Sequence, residues 1–137
     1  MIVIADTSVW SLALRRTAHV ALPPAQAKQV RLLNDLIADA RVAMLGVVRQ
    51  EILSGIKNAQ QFSRLRDYLQ AFPDVPLQTV DYERAAEMWN TCRSHGIAGD
   101  PVDLLICSVA SRRQWLIHTI DLDFARYAKY LPIKLLR

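Results

Sequence analysis

The chain has 137 residues, a hydrophobic fraction of 52% and only 4 glycines and 6 prolines, which suits one folded domain and excludes a disordered chain. No apolar run approaches the roughly 18 residues that a membrane-spanning helix needs, so we expect no membrane partner. The net charge of +4 permits a nucleic-acid partner without requiring one.

Targeting and redox signals are weak. The first five residues are apolar, but they follow no basic residue and lead directly into Asp6, which argues against a signal peptide. The pair Arg15 and Arg16 precedes no apolar export segment, which argues against a twin-arginine signal. Cys92 and Cys107 form no CxxC motif and are expected to be buried thiols. We therefore expect a cytoplasmic protein.

The first half of the chain alternates between short apolar runs and amphipathic helices. Its predicted elements are a strand at 2–5, a helix at 9–14, a helix opened by Pro23 and Pro24, a strand at 42–45, a helix from Gly46 to near Gly55 and a helix at 59–72. The helix after Pro24 carries an apolar stripe of Val30, Leu33, Ile37 and Ala40.

The second half continues the same alternation. Its predicted elements are a strand at 77–80, a helix capped by Asp81, a helix starting at Asp100 and Pro101, a strand at 115–120, a last helix capped by Asp121 and a short edge strand at 133–136. Asp100 and Pro101 occupy the N-cap and first helical positions, a strong helix start. Residues 104–110 are apolar on nearly all sides, so we expect that segment to be buried.

Strands separated by helices predict an α/β fold, with three α/β/α layers around a mainly parallel sheet of four to five strands. Parallel neighbours bring their carboxyl ends to one edge of the sheet, where such folds place ligand sites. Four acids follow these strands or lie in the first turns of the next helix: Asp6, Glu51, Asp103 and Asp121. We expect the four side chains to converge.

Converging carboxylates repel one another and raise one another's pKa unless a cation neutralises them. Arg49 lies two residues from Glu51, a spacing that does not face it on a helix, so it is not an evident partner. Oxygen ligands suit Mg²⁺, with Mn²⁺ as a substitute, in a site of one or two ions. Such ions activate water and stabilise charge on an attacked phosphate, which favours phosphodiester hydrolysis.

Four motifs in order resemble the PIN-domain ribonucleases, in particular the VapC-type toxins of type II toxin–antitoxin systems. They are the apolar strand ending in Asp6, Thr7 and Ser8, then residues 47–55, 103–110 and 119–124. The match covers nearly the whole chain, with Cys107 and Ser108 at positions where the family leads us to expect alanines. Each motif alone is weak, but the order and spacing of the four make the resemblance specific.

The resemblance implies a single PIN-like nuclease domain over residues 1–137 that acts as a Mg²⁺-dependent endoribonuclease. It also implies a VapB-like antitoxin that blocks the site, and a homodimer. Asp6, Asp103 and Asp121 are the predicted metal ligands, and Glu51 joins them as a fourth catalytic acid. No motif specifies the RNA target.

Other side chains are candidates for supporting roles. Asp121 and Asp123 share the last motif, and we favour Asp121 as the inner acid, with Asp123 acting through water. Thr7, Ser8 and Thr119 are expected to cap helices or to orient the acids. The candidate RNA contacts are cations that would attract phosphate: Arg15, Arg16, Arg112, Arg113, Arg126 and Lys129.

Other interpretations remain open. Asp6 could serve only as an N-cap, Asp103 only as a favourable charge at a helix start, and Glu51 only as a solvated residue. A Mg²⁺-dependent phosphatase or phosphotransferase using a sheet-edge Asp is the alternative enzyme, although the first strand lacks the second acid of an Asp-x-Asp start. A non-catalytic RNA-binding or scaffold protein is the third hypothesis.

Overall fold

The computed structural model describes residues 1–14 and 21–136. The strands in this part of the chain are β1 (Val3–Ala5), β2 (Val42–Ala43), β3 (Leu116–His118) and β4 (Lys134–Leu135). The helices are α1 (Thr7–Leu14), α2 (Pro24–Ala38), α3 (Gly46–Leu53), α4 (Ala59–Leu69), α5 (Thr79–Ser94), α6 (Pro101–Arg113) and α7 (Asp123–Tyr127).

The four strands form one sheet in the order β2, β1, β3, β4, and every neighbouring pair is parallel. In the register of the two central strands, Ile4 lies opposite Ile117 and Ala5 lies opposite His118. The segments that follow β1 and β3 therefore leave the sheet at the same level of one edge. The predicted three-layer α/β/α fold with a parallel sheet is confirmed.

The core lies on both faces of this sheet. All three residues of β1 are at most 1% exposed, as expected for a central strand that helices cover on both sides. Residues 104–110 of α6 are buried without interruption, which confirms the predicted buried segment. Trp10 and Phe124 are among the largest fully buried side chains. Within the described residues, no helix combines the length and apolarity that crossing a membrane requires.

The predicted strand at 77–80 is wrong. The structure has no strand there, and α5 already begins at Thr79. The Asp81 carboxylate accepts a hydrogen bond from the Gln78 backbone N–H at 2.8 Å, so Asp81 lies in the first helical turn and Gln78 is the N-cap. The short segment 77–80 has apolar side chains only at its two ends, which does not distinguish a strand from the start of a helix, and this side-chain hydrogen bond favours the helix.

The predicted stripe of the second helix needs a smaller correction. Ala40 lies beyond the end of α2, is exposed and has a φ of 56°. The buried positions of α2 are Val30, Leu33 and Leu36, and Ile37 packs partly buried against the core, so the apolar face ends at Leu36 and Ile37 rather than at Ala40.

A buried ion pair joins α5 to α6. The Arg112 guanidinium donates to both Asp81 oxygens, at 2.6 and 2.9 Å, and the Asp81 side chain is fully buried. These hydrogen bonds hold the pKa of Asp81 below its ordinary value. The Ser108 hydroxyl adds a hydrogen bond to the Asp81 carbonyl at 2.7 Å. The orientation of α6 is thereby fixed against α5.

Loss of this pair should destabilise the fold. Arg112→Ala leaves the buried Asp81 carboxylate without its partner, and we expect the free energy of unfolding to fall at least about twice as far as in a control variant. Urea denaturation followed by circular dichroism measures the change. Arg113→Ala is the matched control, because Arg113 donates to the Pro76 carbonyl at an exposed position and should cost less than about 1 kcal/mol. Equal losses in the two variants would contradict the assignment.

Candidate metal centre

The carboxyl edge of the sheet opens into a pocket of about 440 Å³, which we call the acid pocket. It brings together all four acids that the sequence predicted to converge. Its lining residues are Asp6, Thr7, Ser8, Glu51, Ser54, Asp100, Asp103, Asp121 and Asp123. The wall thus contains six carboxylates that come from four separate segments of the chain.

Three of these carboxylates are close enough to bind one metal ion together. Asp103, Asp121 and Asp123 each offer an oxygen, and these oxygens lie within 4.8 Å of one another. Asp103 is in the first turn of α6, Asp121 follows β3 and Asp123 begins α7. The predicted ligand set contained Asp6 instead of Asp123, which was expected to act through water. The observed grouping adds Asp123 to the candidate ligands.

Asp6 lies deepest of the predicted acids, with 3% of its surface exposed at the end of β1. The hydroxyl of Ser8 donates to its Oδ1 at 2.6 Å, and the hydroxyl of Thr119 donates to its Oδ2 at 2.8 Å. Burial raises the pKa of Asp6, while these two hydrogen bonds oppose the rise. Ser8 and Thr119 are therefore placed to orient this carboxylate, as the sequence suggested.

Glu51 approaches the pocket from α3. The hydroxyl of Thr7 donates to Glu51 Oε1 at 2.5 Å, so the third predicted supporting side chain also holds an acid. Arg49 turns away from Glu51, as its spacing predicted. Its guanidinium contacts Asp74 Oδ1 at 2.9 Å and donates to the carbonyl of Leu69, which ties α3 to the end of α4.

Asp103 has the pKa most relevant to this site. Burial is the main cause that raises this pKa from 3.8 to about 7, and the nearby charges of Asp100, Asp121 and Asp6 contribute to the same rise. The hydroxyl of Tyr127 donates to Asp103 Oδ2 at 3.2 Å and opposes the shift. A bound cation would favour the ionised form, because it would replace the missing solvation and offset the repulsion.

Sequence reasoning missed three residues of this region. Asp100 was assigned only as an N-cap, a role that its hydrogen bonds from the backbone N–H groups of Val102 and Asp103 confirm, yet it also lines the acid pocket. Ser54 lies at the end of the second motif, where it gave no separate signal. Tyr127 was assigned only as part of the last helix, since nothing local reveals its contact with Asp103.

The predicted RNA-contact cations occupy different surroundings. Arg126 pairs with Asp123 at 2.6 Å, next to the acid pocket, and Lys129 is exposed just after α7. Arg113 lies over the ring of Trp115, with its Cζ 5.1 Å from the ring centroid. Arg112 is bound to buried Asp81, so we remove it from the candidate RNA contacts. Arg15 and Arg16 lie outside the described residues.

The donors fit a hard divalent cation. Carboxylate oxygens are the ligands that Mg²⁺ and Mn²⁺ prefer, and three of them converge here without a nitrogen or sulfur donor. Among the described residues, the one ion pair that involves an acid of the pocket is that of Arg126 with Asp123. The pocket thus retains a surplus of negative charge that a divalent ion would offset.

Clustered acids at the carboxyl edge of a parallel sheet define a class of site that binds metal ions and phosphate groups. The family model of the PIN domain matches residues 3–130, and the chain belongs to this family. The resemblance seen in the four sequence motifs is therefore confirmed. PIN-domain proteins are nucleases, which places the chain among the hydrolases.

Solved structures share this fold at low sequence identity. FitAcB from Neisseria gonorrhoeae is 18% identical, with a TM-score of 0.73 over 99% of this chain and 97% of its own. VapBC2 from Rickettsia felis, bound to a DNA fragment from its promoter, is 22% identical, with a TM-score of 0.72 over 100% and 98%. VapBC-5 from Mycobacterium tuberculosis is 20% identical, with a TM-score of 0.69 over 100% and 99%. No curated protein matched the sequence.

Asp103→Asn should be more stable than the metal-free parent at high pH, because it removes a carboxylate whose ionised form is disfavoured first by burial and then by the charges of its acidic neighbours. The folded-state pKa of Asp103 is raised to about 7, so its ionised form costs stability above that pH. Stability is lost as the pH rises from the ordinary pKa of 3.8 to about 7, because over that range the folded protein keeps a proton that the unfolded chain has lost, so the cost is smaller at pH 5 than at pH 8. In chelator at pH 8, we expect the melting temperature to rise by about 3 to 8 °C.

Thermal unfolding at pH 8 and pH 5 measures this difference, with Asp35→Asn on the exposed face of α2 as the control. The gain should shrink at pH 5 and should be absent from the control. An equal rise in melting temperature at both pH values would show that the ionised Asp103 carboxylate is not its cause.

Proposed function

We propose that the chain is a Mg²⁺-dependent endoribonuclease and the toxin of a toxin–antitoxin pair. One observation carries this proposal: oxygens of Asp103, Asp121 and Asp123 lie within 4.8 Å of one another at the sheet edge of a PIN-domain chain. Mg²⁺ is the proposed ion, and Mn²⁺ would substitute for it. The site would hold one or two such ions.

The acids divide into two proposed roles. Asp103, Asp121 and Asp123 would hold the ion, with Asp6 as a further ligand behind them. When bound, a divalent ion lowers the pKa of a water and stabilises charge on the attacked phosphate. Glu51 Oε1 is occupied by the Thr7 hydroxyl, while no hydrogen bond to Oε2 comes from the described residues. We assign Oε2 to accept the proton of the attacking water.

The surroundings of the acid pocket support an RNA substrate over a small phosphomonoester. The pocket lies open at the surface, Arg126 pairs with Asp123 in its wall, and Lys129 is exposed just after α7. Cations placed beside an acidic centre attract the phosphates that the acids repel, and a polymer reaches several of them at once. Arg113 remains a further candidate contact.

The direct test incubates the purified protein with structured RNAs in Mg²⁺ or Mn²⁺. We expect internal cleavage that chelator abolishes and that Asp103→Ala or Asp6→Ala lowers by about two orders of magnitude or more, because each loses a proposed ligand. Asp35→Ala is the matched control and should cleave at the parental rate. Gel electrophoresis of end-labelled RNA measures the rate.

A phosphomonoester assayed in parallel distinguishes the alternative enzyme class. If the protein turns over the phosphomonoester and leaves the RNA intact, the nuclease proposal is wrong and the chain is a phosphatase or phosphotransferase. RNA binding without turnover of either substrate would favour the non-catalytic RNA-binding hypothesis.

The toxin assignment draws on the similar structures. FitAcB, VapBC2 and VapBC-5 share the fold, and the last is described as a member of the VapBC family of toxin–antitoxin systems. For this chain we propose a VapB-like antitoxin that covers the acid pocket, and a homodimer. The cytoplasm is the compartment that suits both an RNA substrate and such a partner.

Expression in a bacterial host tests the toxin assignment. The parental chain should arrest growth, Asp103→Ala should not, and co-expression of a small protein encoded beside this chain should restore growth. Light scattering on the purified chain, with and without that protein, measures both the homodimer and the complex. If the chain cleaves RNA when purified but cells that express it at the same level grow normally, the toxin role is wrong and the nuclease activity alone remains.

A further inference from the structure

Tyr127 lies fully buried on α7, beside the acid pocket rather than in it. Its ring packs edge-on against Phe124, with 5.4 Å between ring centroids. Packing accounts for the ring but not for the hydroxyl, because a buried polar group is costly unless hydrogen bonds satisfy it. The hydrogen-bond partners of this hydroxyl therefore indicate its role in the fold.

Both partners lie at the beginning of α6. The hydroxyl donates to Asp103 Oδ2 at 3.2 Å and accepts from the backbone N–H of Asp100 at 3.4 Å. One atom thus joins α7, which begins with Asp123, to the helical turn that holds Asp103. Asp123 and Asp103 are two of the three grouped carboxylates.

We propose that Tyr127 is a positioning residue that holds Asp103 in the orientation needed to bind a divalent cation. This inference rests on the proposed function, because it assigns Asp103 as a ligand. The hydroxyl occupies Oδ2, and no described residue donates a hydrogen bond to Oδ1. One oxygen is fixed and the other stays available, so less side-chain freedom is lost when a cation binds.

The same arrangement recurs at two other acids of the pocket. Ser8 and Thr119 hold Asp6, and Thr7 holds Glu51, in each case by a hydroxyl. Tyr127 supplies the corresponding contact for Asp103 from a residue outside the four motifs. The hydroxyl reaches Asp103 across the fold, 24 positions along the chain.

Tyr127→Phe tests the proposal, because it removes only the hydroxyl and retains the packed ring. Binding of Mn²⁺ to the purified protein, measured by electron paramagnetic resonance of the free ion, should weaken by about tenfold. RNA cleavage should fall at low Mn²⁺ and return toward the parental rate when Mn²⁺ is raised. A purely structural residue would lower the melting temperature without this dependence on Mn²⁺.

Two controls separate positioning from packing. Phe124→Leu disturbs the ring contact of Tyr127 and should lower the melting temperature, with Mn²⁺ affinity within about twofold of the parent. Tyr130→Phe removes the hydroxyl of an exposed tyrosine and should change neither. The positioning role alone would be overturned if Tyr127→Phe kept the parental Mn²⁺ affinity. It would also be overturned if Phe124→Leu lost as much Mn²⁺ affinity as Tyr127→Phe. A parental chain that binds no Mn²⁺ would instead overturn the proposed metal site.

Discussion

The parallel pairing of β1 with β3 is the constraint on which the site depends. It sets Ala5 opposite His118, and the Asp6 backbone N–H extends the pairing by donating to the His118 carbonyl at 3.0 Å. Asp6 and Thr119 consequently leave adjacent strands together, which lets the Thr119 hydroxyl reach the Asp6 carboxylate. A slip of one residue in this register would turn every side chain of the strand to the opposite face and separate these groups.

This geometry imposes an electrostatic cost on the fold. Six carboxylates line one pocket, and two of them, Asp6 and Asp103, have a raised pKa because they are partly removed from water. The buried core and the Asp81–Arg112 pair provide the stability that holds them together. Functional sites commonly lower the stability of a fold in this way, because the like charges that repel one another are the groups that would bind a cation.

Much of the fold and most of the pocket could be predicted, because the informative signals are local. Strand ends located Asp6 and Asp121, and the helix start at Asp100 and Pro101 located Asp103. The strand predicted at 77–80 failed because four residues with apolar side chains only at the two ends give little periodicity, whereas the contact between Asp81 and the Gln78 backbone favours a helix.

What could not be predicted depends on contacts between distant segments. Arg112 looked like a surface cation until its partner Asp81, 31 positions earlier, proved to be buried against it. Asp123 joins the grouped carboxylates only because α7 begins beside the start of α6. The hydroxyl of Tyr127 reaches Asp103 for the same reason, and no local pattern encodes that contact.

The hydroxyl groups that hold the acids have a further consequence. Thr7, Ser8, Thr119 and Tyr127 fix the positions of carboxylates without supplying a positive charge. Lysine or arginine in those places would have oriented the acids and also cancelled their charge. With neutral donors the acid pocket keeps most of its negative charge, so a divalent ion that binds there would raise the stability of the folded state by mass action. The lifetime of such a chain against proteolysis would then follow the supply of those ions.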